Sequence, residues 1–238
     1  MVRRAAPLLV LFVALFAYDE AAPHLWHESV WWDVAWIGFV LIPATFLMVL
    51  IALPLRVWRQ LPWAGLAFAV LAVVFTVVHW NVPANFARLA AASLFAWWFL
   101  TFFETLAWVV IVACIIPWVD AVSVWRGPTR NITHHHPHVF SVLSYAFPVP
   151  GRHAAANLGV PDLLFFALFL AAAAQYRLRV RATWVCIVAG LGLTIAATVY
   201  WSLSGLPALP AVALGFLLPN ADLLWNDLRR TGSVLSSD

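Results

Sequence analysis

The apolar stretch over residues 89–125 constrains the fold of this chain more than any other feature. It contains only two charged side chains, Glu104 and Asp120. A single helix through the whole stretch, at about 1.5 Å per residue, would be far longer than the roughly 30 Å hydrocarbon core of a bilayer. The stretch therefore predicts two consecutive membrane-spanning helices that divide at Glu104.

Composition agrees with a membrane protein, because 65% of the residues are hydrophobic and only 10% are charged. A soluble domain has roughly 25% charged residues, and a soluble fold of this size could not bury so much apolar surface. Lipid must therefore cover part of the chain. The net charge of +3 is small and scattered, so we expect membrane lipid as a partner and no nucleic acid.

Eight apolar segments have the composition of spanning helices, which need about 20 residues. They cover residues 5–18, 32–55, 62–80, 84–103, 105–125, 159–174, 182–201 and 207–225. The first is short and could instead be a signal peptide, although no small-residue cleavage site follows it. We predict one all-α, multi-pass membrane domain over 1–238, with four helices in 1–103, four more in 104–238, and a long loop at 126–157.

The arginines indicate how the chain is inserted, because cytoplasmic loops are enriched in positive charge. With a cytoplasmic N-terminus, four of the 13 basic residues would lie outside, namely Arg88, Arg126, Arg130 and Arg152. The majority inside predicts a cell-membrane protein with its N-terminus in the cytoplasm. The three arginines in and beside the long loop argue against this orientation.

Two aspartates fall inside predicted spanning helices, where an ionisable residue is costly and therefore indicates a functional site. Asp120 lies near the end of the fifth segment, and Asp162 lies near the start of the sixth. These helices run antiparallel because a loop joins them. Both carboxylates are therefore expected at a similar depth below the same membrane surface.

Such a pair could perform acid–base chemistry. Two carboxylates that share a site cannot both ionise cheaply, so one keeps its proton and the pair titrates as a unit. The charged member can take a proton from a water that attacks a peptide carbonyl, while the neutral member donates to the oxyanion. No metal or cofactor is needed. The aspartates could instead bind neighbouring helices for structural reasons, or form a proton or ion relay.

Three motifs surround these aspartates. The first is Phe-Glu-Thr-Leu-Ala-Trp at 103–108 with Ile-Pro-Trp-Val-Asp-Ala-Val-Ser-Val-Trp-Arg-Gly-Pro-Thr-Arg at 116–130. The second is Leu-Gly-Val-Pro-Asp-Leu-Leu-Phe at 158–165, and the third is Leu-Pro-Ala-Leu-Pro at 206–210. In this order they resemble the two catalytic motifs and the Pro-Ala-Leu motif of presenilins and signal peptide peptidases, which are intramembrane aspartyl proteases. The N-terminal third carries no such signature, so the resemblance is to a compact, prokaryotic-type relative.

The resemblance implies hydrolysis of peptide bonds in or near a transmembrane segment of another protein. It makes Asp120 and Asp162 the catalytic dyad, and it implies that the sixth and eighth helices separate to admit the substrate. The residues implied to shape the substrate site are Gly159, Pro207, Ala208 and Leu209. Helix parity independently places the start of the eighth segment on the side of the long loop. Its prolines lack N–H groups, so this turn could offer free carbonyls to an extended substrate.

Two residues depart from the family pattern. Val119 replaces the tyrosine of the Tyr-Asp pair, and Pro161 replaces the second glycine of Gly-x-Gly-Asp, where it suits a helix start. The chain also has one predicted helix fewer than the nine of the family. These departures keep open a catalytically inactive relative that serves as a membrane scaffold.

The long loop contains two further features. His134, His135, His136 and His138 could bind a transition metal, although a solvated loop is the simpler interpretation and we predict no metal site. Residues 139–147 could form an edge strand beside an unwound substrate. Combined with the aspartates, the histidines also suit the main alternative function, an ion- or proton-coupled transporter.

Overall fold

Helices account for most of the described chain, which covers residues 2–126, 144–203 and 206–235 of this computed structural model. All eight apolar segments predicted from the sequence are helical over most of their length. Four helical spans are long and apolar enough to cross a membrane, namely Ala5–His24, Val30–Val57, Leu106–Val124 and Val180–Tyr200. The chain is therefore a mostly helical protein with four candidate membrane-spanning helices.

The N-terminal half contains helices only. The elements are α1 (Val2–Ala21), a 3-10 turn (Ala22–His24), α2 (Val30–Trp36), a π-helical segment (Ile37–Leu41), α3 (Ile42–Ala52), a 3-10 segment (Leu53–Val57), α4 (Leu61–Val77) and α5 (Asn81–Leu100). The elements from α2 to the second 3-10 segment form one continuous span. The helices α4 and α5 form an antiparallel pair, because the chain reverses at His79, whose φ is +60°.

The C-terminal half contains helices and a two-stranded antiparallel sheet. Its elements are α6 (Leu106–Arg126), β1 (Ser144–Pro148), β2 (Ala155–Gly159), α7 (Val160–Gln175), α8 (Val180–Tyr200), α9 (Leu209–Leu217), a 3-10 turn (Leu218–Asn220) and α10 (Ala221–Leu235). The predicted strand is confirmed over residues 144–147. Residues 139–143 and the histidine cluster at 134–138 lie outside the described part of the chain.

Helix α7 lies at the centre of the bundle. It packs against α5, α8 and α9, and every side chain from Phe166 to Ala173 is fully buried. Aromatic contacts fix it on two sides, because Phe166 lies 4.1 Å from Phe46 and Phe169 stacks on Phe216 at 4.8 Å, measured between ring centroids. Because neighbouring helices enclose these residues of α7, an apolar side chain is favoured at each position, which explains its uninterrupted apolar sequence.

Helices α8 and α9 approach each other most closely at a glycine. A β-carbon at Gly215 would lie 2.7 Å from the backbone Cα of Ile187. No real β-carbon tolerates that distance, so this contact requires glycine. The helix α9 is thereby held against α8, with its N-terminus directed at α6, against which it also packs.

Candidate active site

Asp120 lies in the last third of α6, where it meets the N-terminus of α9. Its Oδ2 accepts a hydrogen bond from the backbone N–H of Leu209 at 3.0 Å, and the backbone of Ala208 donates a second. The first N–H groups of a helix have no partner within the helix, and Pro210 supplies none. A carboxylate from α6 therefore caps α9 and brings the Pro-Ala-Leu turn onto Asp120.

Asp162 lies in the first turn of α7. Its Oδ2 accepts a hydrogen bond from the backbone N–H of Gly159 at 3.1 Å, so the side chain folds back over the start of its own helix. A β-carbon at Gly159 would lie 3.2 Å from that oxygen. Glycine at 159 thus gives the carboxylate room, and the structure places this residue against Asp162.

The two carboxylates lie in one region of the bundle, where α6, α7 and α9 pack against one another. Both side chains are half-buried, and the charge of Asp120 acts on Asp162, although no hydrogen bond joins the two. The structure thus places Asp120 against Ala208 and Leu209, and Asp162 against Gly159. Carboxylates that approach each other closely can share one proton and activate a water molecule.

The Pro-Ala-Leu turn leaves two carbonyl groups available. The carbonyl of Ala208 accepts from the N–H groups of Ala211 and Val212, so it belongs to the helix. Within the described part of the chain, the carbonyls of Leu206 and Pro207 accept no hydrogen bond. The carbonyls that were predicted to be free are therefore those of Leu206 and Pro207, which precede α9.

The two residues that depart from the family pattern fit the helices in which they lie. The side chain of Val119 is 61% exposed. Pro161 occupies the first turn of α7, where a missing N–H costs nothing, as its sequence position predicted.

The outer edge of β1 is occupied by other parts of the protein. The side chain of Asn85, on α5, pairs with both backbone groups of Ala146, accepting from its N–H at 2.8 Å and donating to its carbonyl at 2.7 Å. Arg88 and Tyr18 donate to the carbonyls of two further β1 residues, Ser144 and Pro148, at 3.1 and 3.0 Å. The predicted strand therefore has no free edge.

Among the described residues, the outer edge of β2 has no partner at Asn157. Ala146 lies directly opposite Asn157, and both backbone groups of Ala146 turn away from β2. In an antiparallel ladder the opposite residue then also turns its N–H and carbonyl outward. The backbone groups of Asn157 bond to no described residue, and β2 continues directly into Gly159 and Asp162. Within the described part of the chain, this open edge leads to Asp162.

The hairpin is also anchored at its turn and in its core. Gly151, with φ of +68°, donates its N–H to the carbonyl of Ala22 at 2.8 Å, and Arg152 contacts the imidazole of His27 at 2.7 Å. The ring of Tyr145 lies 4.9 Å from that of Phe147, and burial raises the pKa of its hydroxyl. The hairpin is consequently fixed on α1 and α5.

Sequence reasoning missed the residues that hold β1. Asn85 and Arg88 stand three residues apart, on one face of an otherwise apolar helix, and that spacing was an available signal. Tyr18 carried none. In the described chain no three His, Cys, Asp or Glu side chains are grouped as metal ligands would be.

Comparison with known proteins adds no family assignment. No protein-family model matches this chain, and no curated protein matches it. Any statement about its function therefore depends on the residues of the site.

Proposed function

We propose that this protein is an intramembrane aspartyl protease with Asp120 and Asp162 as its dyad. The observation that supports the proposal is a pair of half-buried carboxylates on two packed helices, one of which, Asp120, caps the turn formed by Pro207, Ala208 and Leu209. This constellation agrees with the resemblance of the three motifs to presenilins and signal peptide peptidases. The larger architecture, about eight crossings with a presenilin-like catalytic core, belongs to the same proposal.

In this mechanism a water molecule lies between the carboxylates. The ionised aspartate takes a proton from the water as its oxygen attacks the peptide carbonyl, and the protonated aspartate donates to the carbonyl oxygen. Collapse of the tetrahedral intermediate breaks the C–N bond and protonates the leaving amine. Backbone N–H groups of Leu209 and Gly159 hold the carboxylates in place during these steps.

The substrate would be a transmembrane segment that unwinds near the dyad. A helix hides its peptide bonds behind its own hydrogen bonds, so an extended segment is needed for attack. The free edge of β2 can pair with that segment at Asn157, and the carbonyl of Pro207 can accept from it. The extended segment would then pass over Gly159 and reach Asp162.

Entry from the membrane requires two helices to part. The predicted separation of α7 from α9 would break the stack of Phe169 on Phe216. The contact between α6 and α7 is much smaller than that between α7 and α9. We therefore place the substrate entrance between α6 and α7.

The dyad would open toward the outer face if the N-terminus is cytoplasmic, as in signal peptide peptidase. Substrates with cytoplasmic N-termini would then be preferred. A reporter fused after Arg230 tests this orientation, because a cytoplasmic reporter supports it and an extracytoplasmic reporter contradicts it.

The decisive experiment is photolabelling of the purified protein with a hydroxyl isostere of the tetrahedral intermediate. Wild type should label in a saturable manner, and both Asp120→Asn and Asp162→Asn should lose labelling while they stay folded. Asp222→Asn is the matched control. It removes a carboxylate at the start of α10, far along the chain from the motifs that contain Asp120 and Asp162. If folded wild type does not label in detergent or lipid, the proposal fails and the transporter or inactive-scaffold functions take its place.

A further inference from the structure

A cavity lies at the opposite end of α7 from the two aspartates. It has a volume of about 460 Å³ and is formed by the segment before α4, the end of α5 and the end of α7. Gln175, which lines it, is 13 residues after Asp162, or about 20 Å along the helix. The cavity therefore belongs to the other membrane surface and is separate from the proposed active site.

No described acid compensates the positive charge of this cavity. Arg56 and Arg59 line it, and no aspartate or glutamate does. The ion pairs of the described residues are His27–Asp33 and Arg179–Asp222, so no described acid neutralises either lining arginine. Arg56 is half-buried and Arg59 is exposed, so an anion that enters the cavity could pair with both guanidinium groups.

Its other polar groups are mainly hydrogen-bond donors. Trp97 is only 2% exposed, and its indole N–H has no partner among the described residues. Gln175 adds an amide, which can donate as well. Two guanidinium groups, an indole and an amide together suit an anion with several acceptor oxygens, and the planar fork of arginine matches phosphate in particular.

An apolar stripe extends from the cavity along the outer face of α4. Its members are exposed and recur at helical spacing over the length of the helix, as Trp63, Leu66, Val70, Val73 and Val77. At the mouth of the cavity, Trp58 and Trp98 are partly exposed, as tryptophans are at a membrane interface. An acyl chain could follow this stripe while its headgroup occupies the cavity.

We propose that this cavity binds the phosphate headgroup of an anionic phospholipid. The unneutralised arginines favour a headgroup with net negative charge over a zwitterionic one, whose own cation would meet the guanidinium groups. The stripe on α4 favours a lipid over a soluble phosphate. Binding would join α4, α5 and the C-terminal end of α7, the helix that carries Asp162.

The test is native mass spectrometry of the purified protein in mixed micelles with equal phosphatidylglycerol and phosphatidylcholine. Wild type should retain one phosphatidylglycerol in preference to phosphatidylcholine. In Arg56→Gln/Arg59→Gln that preference should fall by roughly thirtyfold, because each arginine near an anionic headgroup contributes a factor of about five. Arg177→Gln/Arg181→Gln removes the same charge from the same end of α7 and should keep the preference.

Three outcomes would overturn the proposal. An unchanged preference in Arg56→Gln/Arg59→Gln would exclude the cavity, and an equal loss in the control would indicate diffuse surface charge. Displacement of the signal by millimolar inorganic phosphate would indicate a soluble-phosphate site. If the double glutamine variant does not fold, Arg56→Gln alone replaces it, and it should lower the preference by about fivefold.

Discussion

The polar side chains that lie near the two ends of α9 differ in how many of their hydrogen-bonding groups have partners. Beyond its C-terminal end, Asn220 is fully buried and donates to the hydroxyl of Thr183 at 2.8 Å and to the carbonyl of Phe216 at 2.7 Å. Its side-chain oxygen accepts from the N–H of Arg179 at 2.9 Å. At the N-terminal end, Asp120 and Asp162 together bond only to three backbone N–H groups of the described residues.

This difference separates a structural polar group from a chemical one. Asn220 uses nearly all of its hydrogen-bonding capacity on its own protein. Two carboxylates offer about eight lone-pair sites, and most of those in the dyad remain available to water or a substrate. A polar side chain inside a membrane bundle therefore indicates a functional site when many of its hydrogen-bonding groups lack partners. Burial alone does not distinguish a functional polar residue from a structural one.

The largest effect should come from the dyad. Either Asp120→Asn or Asp162→Asn should reduce turnover of a transmembrane peptide by about a thousandfold or more, within the range that acid–base groups contribute. The double variant should be no worse than either single one, because residues that act as a unit are not additive. The measurement is peptide cleavage in reconstituted vesicles, and independent, additive losses would contradict a shared dyad.

The second effect concerns the helix that connects the two ends. Gly215→Ala should destabilise the protein by about 1–3 kcal/mol, because its new methyl group meets the backbone of Ile187 and cannot be accommodated by a side-chain shift. Since α9 lies between the two regions, labelling and thermal stability should fall together.

Gly192→Ala is the control for this prediction. Its β-carbon would meet no atom closer than 3.4 Å, the carbonyl oxygen of Gly38. Thermal unfolding in detergent should place this variant near wild type. Equal stability of the two alanine variants would show that the approach of α8 to α9 is adjustable.

The third effect concerns Asn220, whose hydrogen-bonding groups nearly all have partners. Asn220→Ala leaves the hydroxyl of Thr183 and the N–H of Arg179 without their partner, which should cost about 1–3 kcal/mol. Labelling per folded molecule should stay at the wild-type level, measured below the melting temperature. Loss of labelling in an Asn220→Ala protein that remains folded would contradict the assignment of a purely structural role to Asn220.

The smallest effect is the pH dependence of the exposed ion pair beside Asn220. A bidentate hydrogen bond from Arg179 holds the pKa of Asp222 below its usual range. The pair therefore stabilises the fold above the unfolded carboxyl pKa of about 4, and this contribution is lost as the pH falls through the folded pKa. Wild type should melt slightly above Asp222→Asn at pH 7, and the two should converge in acid. A constant difference would contradict this assignment.

The helices and the proximity of the aspartates followed from the sequence, because both depend on local patterns. Apolar runs fix the helices, and the position of Asp120 near one helix end and Asp162 near the next helix start fixes their common depth. The pairing of Asn85 with Ala146 could not be predicted from the sequence. A side-chain amide that bonds to the backbone of a strand, as a neighbouring strand would, has no sequence signature. Asn220 was missed for a similar reason, as its three partners are recruited from distant segments only on folding.

The length of α7 has a consequence for the supply of water. Its 16 residues extend over about 24 Å, some 6 Å less than a typical hydrocarbon core. Because neighbouring helices enclose every side chain from Phe166 to Ala173, this short helix does not set the thickness of the lipid. In the proposed protease, Asp162 in its first turn would instead lie below the headgroups, so that hydrolytic water would have to descend between α6, α7 and α9.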